Sequence, residues 1–400
     1  MKKLVSLMLA LVMLLSMVSI ATADETYSIA MVTDYGDITD QSFNQTTWEA
    51  VVKFGTENNV PYAYYKPDTN DTAGRVAKVE MAIADGHNII VMPGYAFGGT
   101  IAEVSEMYPD VKFVALDVAK GDLLEGGVAL KGEAYDYNPD NWNLSDYVYM
   151  DNVYSAIYQE ELCGYMAGYA AVKLGYTELG FLGGMAVPAV IRYGYGFVQG
   201  ADVAAKELGI NVNIKYVYGN QFFGDADITA YMDNWYQNGT QIVFACGGGI
   251  YTSAVDAAKK VEGAKVIGVD VDQAAVITAY AAGEGAGEAE LAKWADLTVT
   301  SAMKGLAPTT IDTLTDIVIN GNWANYAGKI VTLGLVSGDD PAANYVQIAE
   351  STQFVEGKFS AADYAAMVKA MFEGTITVSD DIANAPAVTN ATVEYLGNIK

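Results

Sequence analysis

"NIIVMPGYAFGGTIAEVSEMYPDVKFVALD", residues 88–117, carries two short apolar runs on either side of a segment whose apolar residues Ile101, Val104 and Tyr108 recur at helical spacing. Strand, helix and strand in that order predict a parallel pair, because the helix returns the chain to the starting edge of the sheet by a right-handed crossover. The pattern extends upstream through YSIAMVTD (27–34), SFNQTTWEAVVKFGTENN (42–59), VPYAYYK (60–66) and RVAKVEMAIADG (75–86). After a tyrosine- and acid-rich stretch over 121–151 it restarts with ELCGYMAGYAAVKLG (161–175), ELGFLGG (178–184) and the helical AVIRYGYGFVQGADVAAKELG (189–209), then runs on through NVNIKYVYG, QIVFACGGG and KVIGVD (265–270). The expected fold is α/β, with two similar lobes built on parallel sheets and helices on both faces. Two more strand-like runs lie within ADLTVTSAMKGLAPTTIDTLTDIVIN and GKIVTLGLVSG, and their assignment to one lobe or the other stays open. The segment 281–290, AAGEGAGEAE, reads as a loop or a frayed helix.

The chain has 400 residues, of which 52% are hydrophobic, enough for two cores. MKKLVSLMLALVMLLSMVSIATA, residues 1–23, has a two-lysine start, an apolar middle and Ala21-x-Ala23, the build of a cleavable export signal; an uncleaved anchor is the competing reading. Export to the periplasm or the cell surface is the expectation. A net charge of −27 repels phosphate backbones and anionic lipid, so no nucleic-acid partner is expected. Cys163 and Cys246 have no neighbours at metal-site spacing and read as buried free thiols. His87 is the single histidine, which leaves no material for a histidine triad or a multi-histidine metal site. No cofactor is expected.

Ligands of open parallel sheets bind beyond the carboxyl ends of the strands. Three predicted strands end in aspartate, at Asp34, Asp117 and Asp270, and a fourth ends in Gly247-Gly248-Gly249, where bare backbone can approach a ligand. One such aspartate is an ordinary turn former or helix cap, and one such glycine run an ordinary tight turn. Three carboxylates together would select a neutral or cationic ligand rich in N–H and O–H groups, such as a sugar or a nucleoside. A phosphorylated ligand would want a cluster of cations, and only Arg192 and Lys304 lie near these loops. The glycine turns also lack the lysine and hydroxyl of a phosphate-binding loop. Asp34, Asp37 and Asp40 could be taken for a calcium loop, but the alternating oxygen ligands and terminal glutamate are missing. Asp40 fits better as the cap of the next helix. Phe43 would then sit in its first turn, either as a wall of the cleft or packed on Trp48. Tyr193 and Phe197, four apart, share a helix face and offer an opposite wall, with core packing as the alternative.

Taken together, D-x-x-x-x-x-D-x-S-F-N-Q (34–45), YPDVKFVALD (108–117), QEELCGYMAGYAA (159–171), GFLGGMAVPAVIRYGYGFVQG (180–200), VIGVDVDQ (266–273) and TSAMK (300–304) resemble the basic membrane protein family of solute-binding proteins, which includes purine nucleoside receptors of ABC transporters. The resemblance implies a type I periplasmic-binding-protein fold with three crossovers between Rossmann-like lobes, and no enzymatic activity. Residues 24–158 with 274–325 would form lobe 1, and 159–273 with 326–400 lobe 2. It also implies a purine base held between Phe43 and either Tyr193 or Phe197, with Asp34 and Asp117 bonding the base and Asp270, Lys304 and Gly248 at the ribose. Tyr35 and Asn44, inside the first motif, complete the expected ligand set. The implied partners are a nucleoside and a membrane permease, and a monomer is expected. Tyr193 stands where the family favours phenylalanine, the stretches 121–151 and 274–294 are longer than usual, and no cysteine precedes Cys163 to carry a lipid anchor. Rival readings are a sugar or autoinducer receptor, a calcium-dependent nucleoside hydrolase, and a sensor that presents its closed form to a membrane kinase.

Overall fold

The computed structural model describes residues 26–400, so the export signal expected over 1–23 lies outside the described residues. Strands β1 (Ile29–Val32), β2 (Tyr62–Tyr65), β3 (Ile89–Pro93), β4 (Lys112–Leu116), β5 (Val153–Tyr158) and β11 (Lys329–Leu333) form a six-stranded sheet in the order β11-β5-β4-β3-β1-β2. All its pairings are parallel. β1, β3 and β4 are buried along their whole length, the mark of strands covered on both faces.

The second sheet repeats the plan. It contains β6 (Glu178–Gly183), β7 (Val212–Tyr218), β8 (Ile242–Cys246), β9 (Lys265–Asp270), β10 (Thr298–Lys304), β12 (Val346–Ile348) and β13 (Ala391–Asn398), in the order β12-β10-β9-β8-β6-β7-β13. The run β7-β6-β8-β9-β10 matches β2-β1-β3-β4-β5, so each lobe is a doubly wound unit. β12 is the exception, an edge strand that runs antiparallel to β10.

Two strands depart from the expected division of the chain. β10 pairs with β9, so residues 298–304 belong to the second lobe, and β11 pairs with β5, so 329–333 belong to the first. The sequence shows that a strand is present but not which sheet edge it meets, and here the chain crosses back only after Lys304. The crossovers are therefore Tyr158 to Glu160, Lys304 to Leu306 and Leu333 to Val346. The stretch 121–151 contains most of the helix Lys120–Leu130 and two short 3-10 turns. The segment 281–290 covers the end of the helix Ala274–Ala282, a turn, and the start of the helix Glu288–Trp294. Among the described residues no helix is long and apolar enough to cross a membrane.

The helix Glu160–Leu174 packs against the helix Pro188–Leu208 at backbone distance, because glycines face the contact from both sides. A Cβ at Gly196 would lie 2.1 Å from the carbonyl oxygen of Glu161, and one at Gly164 2.2 Å from that of Tyr193. Backbone atoms cannot swing aside, so a side chain here would force the helices apart and move Arg192 and Tyr193 with them. Gly196→Val is expected to cost about 1–3 kcal/mol or more of stability in urea unfolding.

Candidate functional site

The carboxyl ends of both sheets face one cavity of about 520 Å³, within the range of small-molecule sites. Asp117 follows β4 and Asp270 ends β9, the fourth strands of their respective lobes. Both take left-handed backbone, with φ of 60° and 66°, a conformation aspartate tolerates better than most residues. Their carboxylates thus turn off the strand ends toward the cleft. Asp34, Tyr35, Phe43, Asn44, Asp117, Tyr193, Gly248, Asp270 and Lys304 all line the cavity.

Phe197 does not. It is fully buried in the core beside Phe181 and Phe244. Its helix begins at the cavity with Pro188 and runs away from it, and one turn advances about 5.4 Å, so residues that share a face do not share a depth. Of the two candidates for the second wall, Tyr193 is the one at the cleft, and its hydroxyl lies 3.4 Å from Asp270 Oδ1.

Lys304 is the hub. Its ammonium pairs with Asp117 of the opposite lobe, lies 3.4 Å from Glu160 Oε1 and 3.8 Å from Asp270 Oδ1. It also sits 4.7 Å from the ring centre of Phe43 and 5.6 Å from that of Tyr193, close enough for cation–π attraction to both. Glu160, completely buried, accepts with its second oxygen from Arg192 Nε at 2.7 Å. Five charged groups from two lobes thus share one buried cluster at the cavity wall, and burial on this scale is tolerated only because each has an opposite partner.

On the first-lobe side, Asp34 Oδ1 accepts from the backbone N–H groups of Tyr35 and Gly36 at 2.6 and 2.9 Å. A Cβ at Gly94 would lie 2.7 Å from Asp34 Oδ2, so the glycine leaves room for that carboxylate. Asp40 accepts from the N–H groups of Ser42, Asn44 and Gln45, capping the helix Phe43–Asn58 from just before its formal N-cap, Ser42. Asp37 pairs with Lys66 at 2.8 Å. The three acids of the first loop therefore turn to different partners and do not form a calcium loop. Ser42 donates across the cleft to Asp270 Oδ2 at 2.6 Å, and Tyr35 donates to Met185 of the second lobe at 2.9 Å. Two acceptors at the cavity, Asn44 Oδ1 and Asp117 Oδ1, are buried and find no donor among the described residues.

Burial raises several acids. The Asp117 carboxyl rises to about 6 through burial, with Lys304 pulling it down and Glu160 pushing it up. Burial takes Asp122, also at the cavity, to about 7. Glu161, pressed against Glu160 and with Oε2 unpartnered, rises to about 8, again chiefly through burial. Burial alone would lower Lys304, but Asp117, Asp270 and Glu160 outweigh it and hold the ammonium charged. The raised acids keep protons that the unfolded chain releases near its ordinary carboxyl values, so the folded state binds more protons and loses stability as pH rises through the raised values. Urea midpoints are therefore expected to fall between pH 5 and 8, and Glu161→Gln is expected to flatten that slope; a wild-type midpoint that rises over this range would contradict the assignment.

Glu160 is the main site residue that the sequence did not single out. An acidic pair opening an apolar helix reads as ordinary helix N-terminal charge, and only its full burial reveals the ion pairs. Tyr95, just past the end of β3, Phe222 in a loop, and Asp122 in the first turn of the helix Lys120–Leu130 also line the cavity and were not singled out, since none is an acid that closes a strand. Cys163 and Cys246 are buried free thiols, the latter at the cavity wall.

Two doubly wound lobes, three crossovers and a shared cleft at the strand ends define a two-lobed binding protein of the type I periplasmic class. The fold is shared with solved solute-binding proteins from Aeropyrum pernix K1 (TM-score 0.61, 18% identity, covering 88% of this chain and 87% of that one) and Conexibacter woesei (TM-score 0.59, 18% identity, covering 88% and 99%). The chain belongs to the family described as ABC transporter substrate-binding protein PnrA-like, which matches residues 27–338. It is similar to the ABC transporter nucleoside-binding protein BmpA of Lactococcus lactis, 26% identical over 61% of this chain and 64% of that one. It is also similar to basic membrane protein B of Borreliella burgdorferi, 24% identical over 83% and 86%. The match spans a little under two thirds of the length of the Lactococcus lactis relative.

Proposed function

We propose that this is an extracytoplasmic binding protein that captures a nucleoside, a purine nucleoside first of all, between its lobes and delivers it unchanged to an ABC importer. The observation that carries this reading is the pair of buried acceptors without donors, Asn44 Oδ1 and Asp117 Oδ1, set beside the ring of Phe43 in one cavity. An aromatic face with acceptors at its edge suits a flat heterocycle that carries N–H groups, and Asp270 and Lys304 suit a ribose. The likeness to a relative named as nucleoside-binding supports the same choice. Capture needs no second copy of the chain, since both lobes of one chain supply the walls.

Calorimetry with inosine, guanosine and adenosine tests the aromatic wall. Phe43→Ala is expected to weaken the preferred nucleoside by about 1–3 kcal/mol, roughly ten- to a hundredfold. An unchanged affinity in a folded variant would remove Phe43 from the site.

A further inference from the structure

Three cations line the cavity: Lys66 pairs with Asp37 at 2.8 Å in the first loop, whereas Arg192 and Lys304 are both held from behind by one carboxylate. Glu160 reaches Lys304 with Oε1 at 3.4 Å and Arg192 Nε with Oε2 at 2.7 Å, and is itself fully buried. It does not line the cavity, so it acts through the two cations and not by touching ligand. Lys304 has further acids in Asp117 and Asp270, whereas the only ion pair of Arg192 among the described residues is with Glu160. The placement is also mechanical. Glu160 opens the helix after the first crossover and Lys304 closes the strand before the second, so their contact ties two hinge connections together.

We infer that Glu160 sets the ligand class of the cleft, keeping Arg192 and Lys304 neutralised so that the site takes an uncharged nucleoside and rejects its phosphorylated form. The inference rests on the nucleoside reading of the same cavity. A guanidinium released from its carboxylate offers paired N–H donors that match a phosphate, and desolvated charge discriminates strongly between a neutral ligand and a dianion. Glu160 is thus a positioning and charge-setting residue, and the quantity it controls is a ratio of affinities. A merely structural role would lower both affinities together.

The test is calorimetry of the mature chain and Glu160→Gln with three probes: inosine, inosine 5′-monophosphate and inorganic phosphate. Wild type is expected to bind inosine and to leave both anions unbound. In Glu160→Gln the affinity for the monophosphate relative to inosine is expected to rise about tenfold or more, with measurable phosphate binding. The pair Glu160→Gln with Arg192→Gln, which restores the net charge with neutral groups, is expected to lose that gain. A folded Glu160→Gln chain with no gain for either anion overturns the inference. Failure of wild type to bind any nucleoside would instead overturn the functional reading, and the phosphate arm would still decide the role of Glu160. If Glu160→Gln does not fold, Glu160→Asp, which withdraws the carboxylate by one methylene, is expected to show a smaller gain for phosphate; no gain there overturns the inference equally.

Discussion

Lys304→Met is expected to lower the unfolding free energy by about 3–5 kcal/mol, the cost of leaving buried charge without its partner. Methionine keeps the length and the apolar stem and removes only the ammonium. Asp117, Asp270 and Glu160 would then crowd one buried volume with Arg192 as the only cation, among the described residues, paired to any of them. The penalty should grow from pH 5 to pH 8, since the wild-type Asp117 carboxyl is held at about 6 with the help of Lys304 and rises further without it, so that ionising it costs the variant more as pH increases. Urea unfolding at those two pH values measures it. A loss under about 1 kcal/mol at pH 8 would mean that the cluster is not held by Lys304. The same variant should also lose ligand, because Lys304 joins the first lobe to the second at the cavity wall.

Asp117→Asn is expected to weaken nucleoside binding by about 1.5–3 kcal/mol, the range for a hydrogen bond to a charged group. Asparagine is the informative replacement because it tolerates the left-handed backbone at this position and is nearly the same size, so the change isolates charge. Wild-type affinity should fall as pH drops below about 6, where the Asp117 carboxylate becomes protonated and ceases to be a full acceptor. The variant should lack that limb. A pH profile identical in the two proteins would place the titrating group elsewhere. Acid thus has opposite effects: it favours the fold, by neutralising crowded carboxylates, and disfavours the ligand, by removing an acceptor.

Much of this was legible in the sequence because strands that are buried on both faces read as short apolar runs, and their ends are where α/β sheets bind ligands. Asp34, Asp117 and Asp270 were found by that rule alone, and the structure brings all three to one cavity. Depth along a helix was not legible: Tyr193 and Phe197 differ only in distance from the cleft, which depends on where the helix starts in space. Lobe assignment of β10 and β11 was not legible either, because pairing partners are set by which sheet edge is free after each crossover. Glu160 escaped notice for a third reason. Its importance lies in burial and in cations 32 and 144 residues away, neither of which leaves a local pattern.

The proposed function requires these side chains to converge around one uncharged nucleoside. The direct test is a calorimetric titration of the mature wild-type chain at neutral pH with inosine, guanosine and adenosine, beside ribose and glucose, followed by recovery of the ligand. The predicted result is saturable binding of one nucleoside per chain, with the ligand recovered intact and no heat from the sugars. Saturable binding of a sugar with none of any nucleoside, or release of free base during the titration, would contradict it.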